Sequence, residues 1–126
     1  MKKILVADDR ASSRELIRSV LESCGYQVFE AGDGREAVDL ARLQHPDLLI
    51  LDLQMPALDG MGALAELRSD ERFRNVPILA LTASAMRGDR ERALSAGFTE
   101  YVTKPINLGF LRRELARLLD QTHEPE

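Results

Sequence analysis

The sequence predicts an α/β domain: a doubly wound sheet of five parallel strands in the order 2-1-3-4-5 with five helices, arranged in three layers, α/β/α. Three observations carry this. Short apolar runs at residues 3–7, 26–30, 47–51, 77–81 and 100–102 alternate with longer stretches of helical period. A repeated strand-helix alternation implies a parallel sheet covered by helices on both faces. The runs also differ in composition. Residues 4–7, 48–51 and 78–81 are apolar throughout and belong in the centre, whereas 26–30 carries Gln27 and Glu30 and 100–102 is short and polar at one end. Placing the second and fifth strands outside gives the stated order.

The helices follow from apolar spacing and punctuation. Leu16, Ile17, Val20, Leu21 and Cys24 recur at spacings of three and four in the first helix, which places Cys24 on its buried face, and Gly25 ends it. Asp33, with Glu36 three residues later, reads as a capping box with Asp in place of Ser or Thr. Asp59-Gly60 reads as the start of the third helix and Gly97 as the end of the fourth. Leu108, Leu111, Leu115, Leu118 and Leu119 make the apolar stripe of the last. Residues 1–122 are expected to form one domain, and 123–126 a frayed polar tail.

Composition bounds the function. A chain of 126 residues, 44% apolar and 30% charged, is the size of one globular domain, and no apolar run approaches the roughly 20 residues a membrane helix needs. Met1-Lys2-Lys3 begins like a signal peptide, but Asp8 and Asp9 end the apolar stretch, which implies a first strand and a cytoplasmic protein. One cysteine allows neither an internal disulfide nor a cysteine metal site. A net charge of -4 and few aromatic residues argue against a nucleic-acid partner.

The chemistry lies at the strand ends. In a parallel sheet all carboxyl ends share one rim, where ligands bind at the reversal of strand order. Strand one runs into Asp8-Asp9, strand three (LLILDLQMP, residues 48–56) into Asp52, strand four into Thr82 and strand five into Lys104-Pro105. Three carboxylates held close repel one another unless a cation joins them or one takes up a proton. Oxygen donors without His or Cys favour Mg²⁺ over zinc. A hydroxyl, an ammonium and a metal around one carboxylate suit phosphoryl transfer onto that carboxylate. Each residue also has a plainer reading. Asp8 or Asp9 alone reads as a helix cap, Thr82 as a strand end, Lys104 as a solvated lysine, and Arg87, Arg90 and Arg92 as a solvated face. Joint placement at one rim is what raises the first four. His45 and His123 lie off the rim and are expected to be spectators.

Four motifs in order, Asp8-Asp9, LDLQMPALDG (51–60), LTASA (81–85) and YVTKPI (101–106), resemble those of the receiver domains of two-component response regulators. The resemblance runs from Ile4 to about Leu119. It implies the flavodoxin-like fold that CheY shares and a phosphorylation switch rather than an enzyme. Asp52 would accept a phosphoryl group from a histidine kinase or histidine phosphotransfer protein. Asp9, Asp52 and the backbone carbonyl of Gln54 would bind Mg²⁺, with Asp8 acting mainly through a water. Thr82 and Lys104 would contact the phosphoryl oxygens, and the Lys104-Pro105 bond would be cis. Gln54 and Ser84 would tune the lifetime of the phosphate. Thr82 and Tyr101 would move together as the switch, and the fourth helix, fifth strand and fifth helix, with Met86, Arg87, Arg90, Tyr101 and Phe110, would form the output surface for a downstream protein. With no effector domain following, the resemblance implies a stand-alone regulator, monomeric or weakly dimeric. The alternatives are a phosphate sink, a phosphorelay intermediate or a receiver cut from a hybrid kinase. Residues 84–106 are more similar to regulators of the DivK type and hybrid-kinase receivers than to the flagellar-motor type.

Other classes fit less well. A haloacid-dehalogenase-like phosphatase needs a second Asp two residues after its nucleophile as proton donor, and Gln54 stands there. A flavodoxin-like carrier would set Asp8 and Asp9 against the flavin phosphate. A phosphate-independent interaction module would have no need of the full acid, hydroxyl and lysine set.

Overall fold

The computed structural model describes residues 1–83 and 86–121, and the side chains of these except Asp120 and Gln121. The expectations for Ser84, for His123 and for the tail boundary at 122 and 123 lie outside the described residues. Five strands, β1 (Lys3–Ala7), β2 (Gln27–Ala31), β3 (Leu48–Asp52), β4 (Ile78–Thr82) and β5 (Glu100–Thr103), pair in parallel in the order β2-β1-β3-β4-β5. The helices α1 (Ala11–Ser23), α2 (Gly34–Gln44), α3 (Gly60–Arg68), α4 (Asp89–Ala96) and α5 (Leu108–Gln121) alternate with them, and a short 3₁₀ turn, η1 (Glu71–Phe73), precedes β4.

Strand alternation divides the core into two layers. Leu5, Ala7, Leu49, Leu51, Ile78 and Ala80 face α2, α3 and α4, with Ala37, Leu64, Leu67 and Phe98 packed against them. Ile4, Val6, Leu48, Ile50, Leu79 and Leu81 face α1 and α5, with Ile17, Leu21, Leu111 and Leu115. β3 and β4 are buried along their whole length, whereas β2 begins at an exposed Gln27, in keeping with its edge position.

Three of the expected strands are displaced. β2, β3 and β4 each begin and end one residue later than the apolar runs at 26–30, 47–51 and 77–81, and β5 runs one residue past 100–102. In β3, β4 and β5 the apolar pattern stops at a polar side chain but the ladder does not, Asp52 pairing with Leu81 and Thr82 with Thr103. In β2 the ladder runs on past Glu30 to the buried Ala31, which pairs with Ala7. Cys24 is exposed, not buried. It occupies the C-cap of α1, where the chain leaves the helical path and Gly25 takes φ 94°. Leu16 is also exposed, at the edge of the α1 stripe.

The caps behave largely as expected. Asp33 accepts from the Glu36 amide, and Asp59 from the Gly62 amide. The reciprocal bond of the box goes to Gly32, whose amide donates to Glu36 Oε1 rather than the Asp33 amide doing so. Two glycines allow close approaches that fix the β3–α3 loop. A Cβ on Gly60 would lie 2.5 Å from the Asp52 carbonyl oxygen, and one on Gly34 would overlap the Leu58 carbonyl outright.

Candidate functional site

The rim residues arrive from the carboxyl ends of four strands. Asp8 follows β1, and its amide donates to the Ala31 carbonyl of β2. Asp52 is the last residue of β3 and Thr82 the last of β4. Lys104 follows β5, with its amide 2.7 Å from the Thr82 carbonyl oxygen. Backbone ladders therefore set the spacing of these side chains. Asp8, Asp52 and Thr82 are the buried polar residues among those described, while Asp9 is exposed beside them.

Lys104 Nζ donates to Asp52 Oδ2 at 2.8 Å and lies 3.0 Å from Asp8 Oδ2. The Asp8 contact is out of line for a hydrogen bond, so this fully buried oxygen has a charge partner but no directed donor. The other oxygens are engaged at home: Asp52 Oδ1 accepts from the Gln54 amide and Asp8 Oδ1 from the Arg10 amide. Arg14 clamps the loop from behind, donating to the Asp8 carbonyl at 2.7 Å and pairing with Glu30 at 2.9 Å.

Burial pushes the Asp52 carboxyl above its ordinary range. The Lys104 ammonium and the Gln54 amide pull the other way, and the charge of Asp8 adds to the rise. For Lys104 burial alone would lower the pKa, but Asp52 and Asp8 outweigh it and hold the ammonium above its usual value. The cluster thus has an ammonium that stays charged and carboxylates that resist sharing one small volume.

A second cation relieves that conflict. One oxygen from each of Asp8, Asp9 and Asp52 can be chosen so that all three lie within 4.8 Å of one another. Carboxylate oxygens alone, one of them buried without a directed donor, suit a hard divalent ion. The triad could therefore hold a metal.

The remaining expectations are distributed around this centre. Tyr101 is partly buried against the α2/α3/α4 layer, with its hydroxyl buried and unpaired among the described residues. The Lys104-Pro105 peptide is cis. Asp59 and Gly60 begin α3, and Met86 is exposed before α4. Arg90 pairs with Glu100 at 3.2 Å, and Arg92 pairs with Asp89. His45 is away from the rim, as expected, but is not idle. It takes φ 53° at the α2 C-cap and stacks on Phe73, with ring centroids 6.4 Å apart. Reading the sequence missed Arg10 and Arg14. Their positions one and five after Asp9 were the available signal, but neither residue type advertises a backbone or cavity contact.

A three-layer parallel fold with an acid cluster and a lysine at its carboxyl rim defines a class of signalling domain, and this chain belongs to the response regulator receiver domain family, whose model matches residues 4–116. Among curated relatives, it is 38% identical over 107 residues to the polar-differentiation response regulator DivK of Brucella ovis, an alignment spanning 85% of this chain and 87% of the relative. The receiver domain of a sensor histidine kinase from Pseudomonas aeruginosa, crystallised with magnesium in its active-site cleft, is 40% identical. It superposes with a TM-score of 0.86 over 94% of this chain and 98% of its own. The chemotaxis regulator CheY4 of Vibrio cholerae is 32% identical with a TM-score of 0.87, again over 94% and 98%. A receiver domain implies a histidine kinase as partner. No helix among the described residues is long and apolar enough to cross a membrane.

Proposed function

We propose that this chain is a phosphorylation-dependent signalling switch in which Asp52 receives the phosphoryl group. The observation that supports it most is the placement of Asp52: the buried end of β3, 2.8 Å from Lys104 Nζ and grouped with Asp8 and Asp9. Asp8, Asp9, Asp52 and the Gln54 backbone carbonyl are the atoms that would hold Mg²⁺. When bound, the ion supplies charge neutralisation for carboxylates and phosphoryl oxygens together.

The chain's own groups do the rest. The Gln54 amide fixes Asp52 Oδ1 and leaves Oδ2 aimed at the ammonium, so one oxygen is oriented for in-line attack. A new P–O bond forms at Asp52 as the P–N bond of a donor phosphohistidine breaks. The imidazole leaves with the bonding pair and, its other ring nitrogen carrying a proton, departs as the neutral ring. Lys104 and Thr82 stand where the phosphoryl oxygens arrive, and an ammonium and a hydroxyl both bind that group better than they bind a bare carboxylate. Tyr101 and the surface of α4, β5 and α5 are the proposed readout. The resemblance to DivK favours a regulator that acts by binding a partner protein, and the resemblance to hybrid-kinase receivers keeps a phosphorelay role as the second reading.

Incubation with radiolabelled acetyl phosphate, with and without Mg²⁺, tests the reading. Mg²⁺-dependent label that is absent from Asp52→Asn is expected. If the parent takes no label and beryllofluoride with Mg²⁺ leaves its spectrum unchanged, the switch is abandoned in favour of a phosphate-independent interaction module.

A further inference from the structure

Arg10 occupies the N-cap of α1 with φ -98° and ψ 115°, and its side chain caps nothing. Ser, Thr, Asp and Asn are favoured there because a side-chain oxygen can accept from the helix amides. Arginine has no acceptor, and its charge opposes the positive end of the helix dipole. At the equivalent positions of α2 and α3 the chain uses Asp33 and Asp59, each bonded to an amide. The junction beside the acid cluster therefore gives up local helix stability, a pattern expected where function competes with folding.

The guanidinium is not recovered by a structural partner. Only the Arg10 backbone is engaged, its amide donating to Asp8 Oδ1 at 2.9 Å and its carbonyl accepting from the Arg14 amide, and among the described residues the exposed side chain makes no hydrogen bond or ion pair. The residue lines a cavity of about 240 Å³ with Asp9, Asp52, Gln54, Ala83 and Lys104, and a neighbouring one of about 380 Å³ with Ile17, Lys104 and Pro105. Two carboxylates and one ammonium line the first besides Arg10, and the buried Asp8, 3.0 Å from Lys104 Nζ, takes the cluster's charge near minus two, which one divalent cation brings to zero. Arg10 is the group that makes the mouth positive once the metal has entered.

We infer that Arg10 is a specificity-determining residue that favours small phosphodonors arriving as dianions, such as acyl phosphates. This rests on the reading of Asp52 as acceptor. In that transfer a P–O bond forms at Asp52, the bond between phosphorus and the acyl oxygen breaks, and the carboxylate of the donor leaves with the pair. Arg10 makes no covalent bond; it raises the local concentration of the donor and holds its charge. Because the same cation repels a metal, its removal has opposite effects on the two ligands.

Arg10→Gln and Arg10→Glu, which keep the amide bond to Asp8, provide the test against the parent protein. Labelling by acetyl phosphate at saturating Mg²⁺ is expected to slow about 3-fold in the first and about 10-fold in the second, with the gap closing as salt rises. Mg²⁺ affinity measured by calorimetry should move the other way, about 2-fold to 5-fold tighter. Melting temperature should hold or rise, since an unfavourable charge leaves the helix end. Equal labelling rates in parent and Arg10→Glu would overturn the inference, as would a joint loss of donor reactivity and Mg²⁺ affinity, which marks a damaged loop. If the parent itself takes no label on Asp52, the acceptor reading fails first and the inference falls with it.

Discussion

Lys104 and Arg68 are two cations drawn into the molecule at opposite ends of the sheet, and they are satisfied in opposite ways. Arg68, the last residue of α3, donates to the carbonyls of Phe73, Arg74 and Val76 through Nη1 and to that of Gly97 through Nε and Nη2. Its acceptors are neutral, fixed in the backbone and indifferent to one another. Burial lowers its pKa, and no carboxylate offsets this. Lys104 instead stands between Asp52 and Asp8, acceptors that repel each other. A cation among carbonyls ties α3, η1 and the end of α4 into one body. A cation among carboxylates leaves a site that gains from a further charge.

If this contrast is right, stability and reactivity should separate by residue. The largest effect is complete: Asp52→Asn should reduce labelling by acetyl phosphate to background while melting at or above the parent temperature, because a carboxylate crowded by Asp8 is gone. Arg68→Met should do the reverse. It should cost about 2–4 kcal/mol in urea unfolding, because hydrogen bonds to a charged donor are among the stronger ones and its carbonyls would be left partly buried without it. Labelling per folded molecule should stay unchanged.

Gly34→Ala probes the packing behind the β3–α3 loop. A methyl there must displace the Leu58 carbonyl, with an expected loss of about 1–3 kcal/mol measured by thermal or urea unfolding. Asp33→Ala removes only the α2 cap and should cost about 1 kcal/mol in the same measurement.

The smallest effect sharpens the comparison through pH. The Asp52 pKa is raised in the fold, mainly by burial, so its contribution to stability is full below the ordinary value of 3.8 and is lost as pH rises through the folded value. Glu30 is held low, chiefly by its hydrogen bond with Arg18, so its contribution is present above 4.5 and is lost as pH falls. In metal-free urea titrations from pH 3.5 to 7, the parent should therefore lose ground to Asp52→Asn as pH rises and gain ground over Glu30→Gln. Matching slopes would show that a carboxylate crowded by another carboxylate and one paired with guanidinium groups do not differ as described.

Reading the sequence reached the sheet order because burial on both faces leaves an unbroken apolar run, and Leu48 to Leu51 and Ile78 to Leu81 are such runs. It reached the cluster because parallel strands place their ends on one rim. It missed strand ends by a residue because polarity marks where burial changes, while pairing decides where a strand stops. Cys24 illustrates the limit of helical spacing: the position keeps the period, but the backbone has already turned away. Arg68 was illegible for another reason. Its partners are carbonyls up to 29 residues distant, and a carbonyl has no signature in a sequence. Arg10 and Arg14 fall under the same limit, because an exposed guanidinium and a clamped one look alike in a sequence.

The rim's construction has a kinetic corollary. Asp52 and Thr82 are ladder residues, and the amides of Leu53 and Lys104 are bound to the carbonyls of Leu81 and Thr82. Releasing the Leu53 proton parts β3 from β4, two inner strands, whereas the Lys104 proton is freed when the edge strand β5 leaves β4, so the Leu53 amide should exchange more slowly than the Lys104 amide. The acid cluster then has a partly assembled form, in which the ammonium has left with β5 while the carboxylates stay in place on β1 and β3, and an ion held by the carboxylates should slow the exchange of the Leu53 amide more than that of Lys104.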